Sequence, residues 1–286
     1  MTVAEITWTV DPAIFSVGSR EIRWYALAFA IGFTVGYKIV KRMWIREEIP
    51  PAWLEPLLYY TVAGTVIGAR LGHCLFYSPD YYLANPVEIL KMWEGGLASH
   101  GGVLGIMVAI WFYSRNVSHQ NMLWTFDKLV VPTGLVAALI RLGNLMNHEI
   151  YGHPTDLPWG FRFIENLHAW RQEGAEPLFS APSHPTQIYE ALCYLFTFAL
   201  CMWLYFRKDA WKRQGFIFGL FLICIFTARF LIEFLKNDQE AFEAGMALNM
   251  GQWLSIPFIL AGLFFVRRAF KRQPVTYSYR NAKDRK

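Results

Sequence analysis

Apolar residues gather in seven runs, at roughly 24–40, 57–77, 97–113, 126–146, 188–206, 215–235 and 252–270, separated by polar connections. Each run is close to the ~20 residues a helix needs to cross hydrocarbon. The pattern predicts an all-α polytopic membrane protein of seven transmembrane helices. It forms one integral membrane domain over 1–270, followed by a basic tail over 271–286. A polar lead of some twenty residues comes first, with Glu5 and Asp11 ahead of the first run. That is not a secretory signal pattern, so the first span is expected to act as its own targeting signal.

Seven spans put the termini on opposite sides, and the basic residues say which. Eighteen of the 27 Lys and Arg lie in the 38–56, 114–128 and 207–214 connections and the C-terminal end. Only six lie in the lead and the 78–96, 147–187 and 236–251 connections. The positive-inside rule then sets the N-terminus outside and the C-terminus in the cytoplasm. The 147–187 connection falls outside and carries His148, Glu149, His153, Asp156, Trp159 and Trp170. It is too long and too aromatic for a linker, and reads as a small extracytoplasmic cap between spans four and five. Trp24 and Tyr25 suit the outer headgroup level, and the basic tail is expected against anionic inner-leaflet lipid.

Composition agrees: 55% of the chain is hydrophobic and 17% charged, against about a quarter charged in soluble proteins. The net charge of +5 raises the question of nucleic acid. The basic residues alternate with hydrophobic runs instead of forming one face, so topology accounts for them better. Cys74, Cys193, Cys201 and Cys224 lie inside apolar runs without a CxxC pair, which suggests neither zinc nor thiol–disulfide chemistry. No internal repeat points to an inverted-repeat transporter.

The chemistry starts at Arg141. On a helix, Arg141, Asn144 and His148 would share one stripe at the end of span four. Such groups cost several kcal/mol facing lipid, so they must face protein, water or a polar ligand. Six more ionisable residues interrupt the spans: Arg70, His73, His100, Glu190, Arg229 and Glu233. Most sit toward span ends that the topology places outside, so distant parts of the chain deliver polar groups to one level.

Two motifs add to the set. Gly95–Gly105 is glycine-dense around His100 and includes Gly101 and Gly102. Glycines let backbone approach a ligand, and equally let two membrane helices pack closely; the histidine, a proton acceptor near neutral pH, favours a site. His184–Glu190 reads as a helix entry, with Pro185 at the first helical position and Gln187 as a reciprocal cap. Capping alone would account for His184 and Gln187, whereas Glu190 is placed to balance an arginine. His148, Glu149, His153 and His184 lack metal-site spacing, so no metal is expected.

Arginines recognise phosphate through planar, bidentate hydrogen bonds, and at the outer headgroup level the available phosphate is a phospholipid's. A cationic cluster would also stabilise a departing phosphate. These residues point to a phospholipid-handling protein, enzyme before channel. A transporter predicts ionisable groups through the whole membrane thickness. An intramembrane protease needs a Ser/His pair, paired Asp or HExxH, and adjacent Ser99 and His100 face different ways on a helix.

The stretch Arg141–Gly152, RLGNLMNHEIYG, resembles the signature of bacterial prolipoprotein diacylglyceryl transferases. The likeness extends to Asp11–Phe15, Trp24–Tyr25, Gly68–Tyr77, Gly95–Gly102, His184–Glu190, Arg229–Glu233 and Met250–Pro257, in the family's order. It implies transfer of diacylglyceryl from phosphatidylglycerol to the lipobox cysteine of a preprolipoprotein signal peptide, releasing glycerol phosphate. It also implies a multi-pass protein of the bacterial inner membrane, no metal or organic cofactor, and an active site facing the outer leaflet. By resemblance His100 is the base or relay that generates the thiolate, while Arg141 and Arg229 hold and stabilise the phosphate. Tyr25, Arg70, Asn144, Glu149 and Gly152 surround the lipid headgroup. Glu190 and Glu233 orient the arginines, with Gly101, Gly102 and His184 in support. The chain departs from the family pattern at Ile140, His148, His153 and around Ile225.

Overall fold

A computed structural model describes residues 5–18, 20–91, 96–237, 246–277 and 279. Short strands β1 (Ile6–Thr7), β2 (Ala13–Val17) and β3 (Arg20–Arg23) lead into helices α1 (Trp24–Arg46) and α2 (Leu54–Tyr77). The short α3 (Pro79–Ala84) precedes α4 (Ser99–Tyr113) and α5 (Met122–Met146). After β4 (Phe161–Arg162) and the short α6 (Leu167–Gln172) come α7 (Thr186–Arg207), α8 (Phe216–Ile232) and α9 (Met250–Lys271).

Among the described residues, four segments are long and apolar enough to cross a membrane: Met122–Met146, Thr186–Arg207, Phe216–Leu235 and Met250–Lys271. The mostly helical, membrane-protein character expected of the chain is therefore present. The first three of the seven expected spans fall on α1, α2 and α4, of which α4 has only 15 residues.

The chain divides into two compact units. The first comprises Met1–Ile39 and Asp127–Val275. Its helices pack through small residues. Gly32 and Gly36 of α1 meet Val136 and Pro132 of α5, and Gly134 of α5 meets Phe198 and the Tyr194 carbonyl of α7. Ala138, Ala191 and Tyr194 form a buried cluster against Ile225 and Ala228 of α8. Phe226 of α8 stacks on Phe258 of α9 at 4.3 Å between centroids. The α8 entry is capped from another helix: the Asp127 carboxylate accepts from Gly215 N–H at 2.6 Å and Phe218 N–H at 2.8 Å. A carboxylate there meets both the unpaired N–H groups and the positive end of the helix dipole.

The long connection between α5 and α7 folds on itself and takes in the N-terminal lead. β1 pairs with β4 in parallel, Trp8 Nε1 donates to the Leu145 carbonyl at 3.0 Å, and Tyr151 stacks on Phe163 at 4.6 Å. Arg171 of α6 clasps the β2–β3 hairpin, with 2.9 Å to Asp11 and 2.7 Å to Glu21. This pairing holds the Glu21 carboxyl below its usual range.

The second unit comprises Val40–Phe126 and Thr276–Lys286. Its core is the α2–α4 contact. A Cβ on Gly101 would run into the Gly68 carbonyl and Gly72 Cα, and one on Gly105 into the Gly64 carbonyl. Gly64, Gly68 and Gly72 on one helix thus mesh with Gly101 and Gly105 on the other, the small-residue packing that brings helix backbones together in a membrane.

Toward the chain end, one tyrosine docks within the second unit. Tyr279 is buried, accepts from Trp124 Nε1 at 3.0 Å, and packs edge-on against Trp53 and Trp124. A buried tyrosine ring needs a partner for its hydroxyl, and Trp124 supplies it. The described part of the tail forms a strap over aromatic residues.

Candidate functional site

In the first unit, five helix ends bring polar side chains together. Arg141 stands near the C-terminal end of α5, Glu190 in the first turns of α7, and Arg229 near the end of α8. Glu233 and Lys236 follow α8 directly, Asn249 opens α9, and Tyr25 opens α1.

Glu190 is the hub. Its side chain is fully buried, and its Oε2 lies 2.9 Å from Arg141 Nε. Oε1 accepts from the Tyr194 hydroxyl at 3.1 Å and pairs with Lys236 Nζ at 3.2 Å. Lys236 Nζ also stands 3.2 Å from Glu233 Oε2, and both side chains are almost wholly buried. A buried carboxylate persists as a charge only when paired and hydrogen-bonded, and Glu190 has both kinds of partner.

From Arg141 the chain of contacts runs outward. Arg141 Nη1 donates to Asn144 Oδ1 at 3.1 Å, and Asn144 Nδ2 donates to Glu149 Oε1 at 2.8 Å. The guanidinium is thereby held at Nε by Glu190 and at Nη1 by Asn144, while its side chain as a whole stays 16% exposed. A planar donor group so oriented suits a phosphate or carboxylate. Tyr25 covers the same ground from α1. A Cβ on Gly143 would stand 2.5 Å from the Tyr25 ring, so this glycine in the signature stretch makes room for the tyrosine. Tyr25 also senses the charges of Glu149 and Arg141.

The loop after α5 departs from the single helical stripe. The helix ends at Met146, and His148 (φ 56°) and Ile150 (φ 61°) adopt left-handed backbone. His148 therefore does not share the Arg141 face. Its Nε2 lies 2.9 Å from the Val10 carbonyl, and its Nδ1 accepts from Ile164 N–H at 3.1 Å. One nitrogen donating and the other accepting requires the neutral ring, and burial accordingly pushes its pKa below 6.5.

A left-handed β-branched residue such as Ile150 costs roughly 1–3 kcal/mol and persists only where neighbours over-determine it. Here Thr186 Oγ1 donates to the Ile150 carbonyl at 2.9 Å, and Gln187 Nε2 donates to the Glu149 carbonyl at 2.7 Å. The expected helix-entry cap is thus not formed. α7 begins at Thr186 with Pro185 in the cap position, and no side chain caps it. Gln187 instead pins the signature loop.

Gly152 packs against backbone: a Cβ there would meet the Leu235 carbonyl, and its N–H donates to the His184 carbonyl at 2.9 Å. His184 lies 3.3 Å from the Tyr189 hydroxyl through Nδ1, and its pKa is lowered by burial and by His153. These contacts give Gly152 and His184 a loop-locking role.

The remaining sequence candidates belong to the second unit. Arg70 is buried and donates to the carbonyls of Glu88 at 2.6 Å, Ile89 at 2.9 Å and Gly96 at 3.2 Å. Its guanidinium also lies 5.1 Å from the centre of the Tyr82 ring. A guanidinium so committed clamps backbone. His100 opens α4, exposed, with its ring 5.3 Å from Phe76 and 5.9 Å from Tyr77. Gly101 serves helix packing. Gly102 has more room, with nothing nearer its Cβ position than 3.6 Å. Gly95 lies outside the described residues.

Sequence reasoning misses Lys236, which it counts as one loop lysine among others. The available signal is its spacing from Arg229 and Glu233, at i+7 and i+3. Gly251 stands out in the sequence only as part of a motif; a Cβ there would stand 2.6 Å from Glu233 Cδ, so its absence admits that carboxylate beside the start of α9. Asn249 and Gln252 form a reciprocal capping box at the same place.

Comparison with known proteins adds to this geometry. A family model described as prolipoprotein diacylglyceryl transferase matches residues 12–268. A phosphatidylglycerol–prolipoprotein diacylglyceryl transferase of Porphyromonas gingivalis is 54% identical over 279 residues, covering 96% of this chain and 97% of the relative. Proteins of the same name from Tolumonas auensis and Bacteroides fragilis are 45% and 42% identical, covering 93% and 91% of this chain and 98% and 94% of the relatives.

Proposed function

The chain belongs to the prolipoprotein diacylglyceryl transferase family, and from that membership we propose how its own residues carry the reaction. It is a membrane transferase that moves the diacylglyceryl group of phosphatidylglycerol to a prolipoprotein. The observation that carries the site assignment is the Arg141 guanidinium, held in a fixed orientation by Glu190 and Asn144 in a side chain that is still 16% exposed.

The acceptor is the lipobox cysteine of the preprolipoprotein signal peptide. His100 takes the thiol proton, because the thiolate is the nucleophile. The thiolate attacks the glycerol carbon bearing the phosphate ester. The new C–S bond forms as the C–O bond breaks, and the electron pair leaves with glycerol phosphate. Arg141 and Arg229 bind the phosphodiester and stabilise the charge that grows on the departing oxygen. Tyr25 and Asn144 hold the headgroup end, and Glu149 fixes Asn144. The chain crosses the bacterial inner membrane seven times, with its C-terminus in the cytoplasm and this site toward the outer leaflet, where phosphatidylglycerol and the emerging signal peptide meet.

Incubating the purified protein with phosphatidylglycerol and a one-cysteine lipobox peptide tests the reading. The expected result is a peptide mass gain of one diacylglyceryl group, matched one to one by released glycerol phosphate. The His100→Ala variant is expected to lose the product. Unmodified peptide from folded, lipid-bound wild type refutes the reaction, and full activity in His100→Ala moves the proton acceptor elsewhere.

A further inference from the structure

The pairing of Glu233 is not the one its spacing suggests. Arg229 and Glu233 stand at i and i+4, where a guanidinium and a carboxylate on a helix ordinarily meet. Here Glu233 pairs with Lys236, three residues on, at 3.2 Å. α8 ends at Ile232 and the chain tightens into a 3₁₀ turn over Glu233–Leu235, which re-aims the carboxylate. Gly251 leaves space for it at the start of α9. Arg229 has no carboxylate partner among the described residues, and its Nε is buried without a hydrogen bond.

Lys236 is itself held in place. Its backbone bridges to Gly152, His153 N–H donates to the Leu235 carbonyl at 2.8 Å, and Asn237 Nδ2 donates to the Gly152 carbonyl at 3.0 Å. The ammonium therefore sits between Glu190 and Glu233 as a fixed point charge. Glu190 is shared by Arg141 and Lys236, and Glu233 is taken by Lys236, so neither carboxylate pairs with Arg229.

We propose that Lys236 is a positioning residue that occupies Glu233 so that the Arg229 guanidinium stays uncommitted and available to the phosphate of the lipid headgroup. The inference rests on the transferase reading of this site and adds to it a device for keeping a phosphate-binding arginine from being neutralised by its own helix. Without the lysine, Glu233 would turn to the nearest cation. Arg229 would then carry a carboxylate in the place meant for phosphate.

The test compares wild type, Lys236→Met, Lys236→Arg and the double variant Lys236→Met/Glu233→Gln in phosphatidylglycerol vesicles with a lipobox peptide. Two readouts are taken: the phosphatidylglycerol dependence of thioether formation, and phosphatidylglycerol binding by direct titration in detergent. Lys236→Met is expected to raise KM and Kd for the lipid about tenfold, the size of one lost charge-assisted contact. Lys236→Arg, which still holds Glu233, is expected to stay within about threefold of wild type. The double variant is expected to recover most of the lost affinity, because no carboxylate remains to capture Arg229. A lysine needed only for packing would show no such rescue.

An unchanged KM in Lys236→Met, or a double variant as weak as the single, overturns the proposal. So does a tenfold loss in folded Lys236→Arg, which settles the matter even where Lys236→Met fails to fold. A wild type that binds the lipid but forms no thioether refutes the transferase reading instead, and the ratio of Kd values then decides the role of Lys236 on its own.

Discussion

Glu190, itself fully buried, neutralises two cations at once, Arg141 and Lys236. Removing one partner of a buried pair costs more than the pair itself stabilises, because the other charge is left without compensation. Glu190→Leu is therefore expected to lower stability by about 3–5 kcal/mol, read as a fall in the thermal unfolding midpoint in detergent; an unchanged midpoint would show that the hub is not needed for the fold. His148 gives a second prediction at this scale. Its folded pKa lies below 6.5 because burial disfavours the charged ring. The unfolded chain binds the proton first, so the His148 contribution is fully present above about pH 6.5 and is lost as pH falls toward the folded value. Melting curves between pH 7.5 and 5 should show a shallower acid-side loss in His148→Asn than in wild type; parallel curves would contradict it. Arg141, Asn144 and Glu190 were legible in the sequence because a polar group inside an apolar run must find a polar partner or a ligand. Lys236 was not, since a lysine between spans looks like topology until its two carboxylates are seen. The helical stripe through His148 failed because a periodicity argument cannot see the helix stop at Met146.

At the level of elements, glycines separate packing from ligand contact. The Gly101 Cβ position is occupied by the backbone of α2, whereas that of Gly102 is open to 3.6 Å. Gly101→Ala is expected to force the two helices apart and lower the unfolding midpoint by several degrees, an effect of about 1–3 kcal/mol. Gly102→Ala should leave the midpoint near wild type. Equal effects would mean that the α2–α4 contact does not depend on this register. The glycine-rich stretch had two readings in the sequence, and choosing between them needed Gly64, Gly68 and Gly72 on a partner helix. The entry of α7 carries the same lesson. Gln187 looks like a cap from local spacing, yet its amide binds the Glu149 carbonyl, a long-range contact no local pattern encodes.

For the molecule as a whole, hydropathy made the mostly helical membrane character and four of the long apolar helices plain. The division into two units leaves no mark in hydropathy, because two of its three boundaries fall inside helices α1 and α5. Nor did hydropathy show the tail strap, since tyrosines after a basic helix end give no sign of where they dock. The proposed topology predicts that a thiol reagent unable to cross membranes labels a single cysteine placed at His153 in intact cells, and one placed at Lys208 only after permeabilisation; the reverse pattern would invert the orientation. The central claim is that the fixed fork of Arg141 handles the lipid phosphate during transfer. The most direct measurement is the rate of thioether formation by Arg141→Lys beside wild type, with folding and lipid binding checked in both. Lysine keeps the charge and loses the bidentate geometry, so a fall of about a hundredfold is expected. A rate equal to wild type would contradict the claim and move the phosphate away from Arg141.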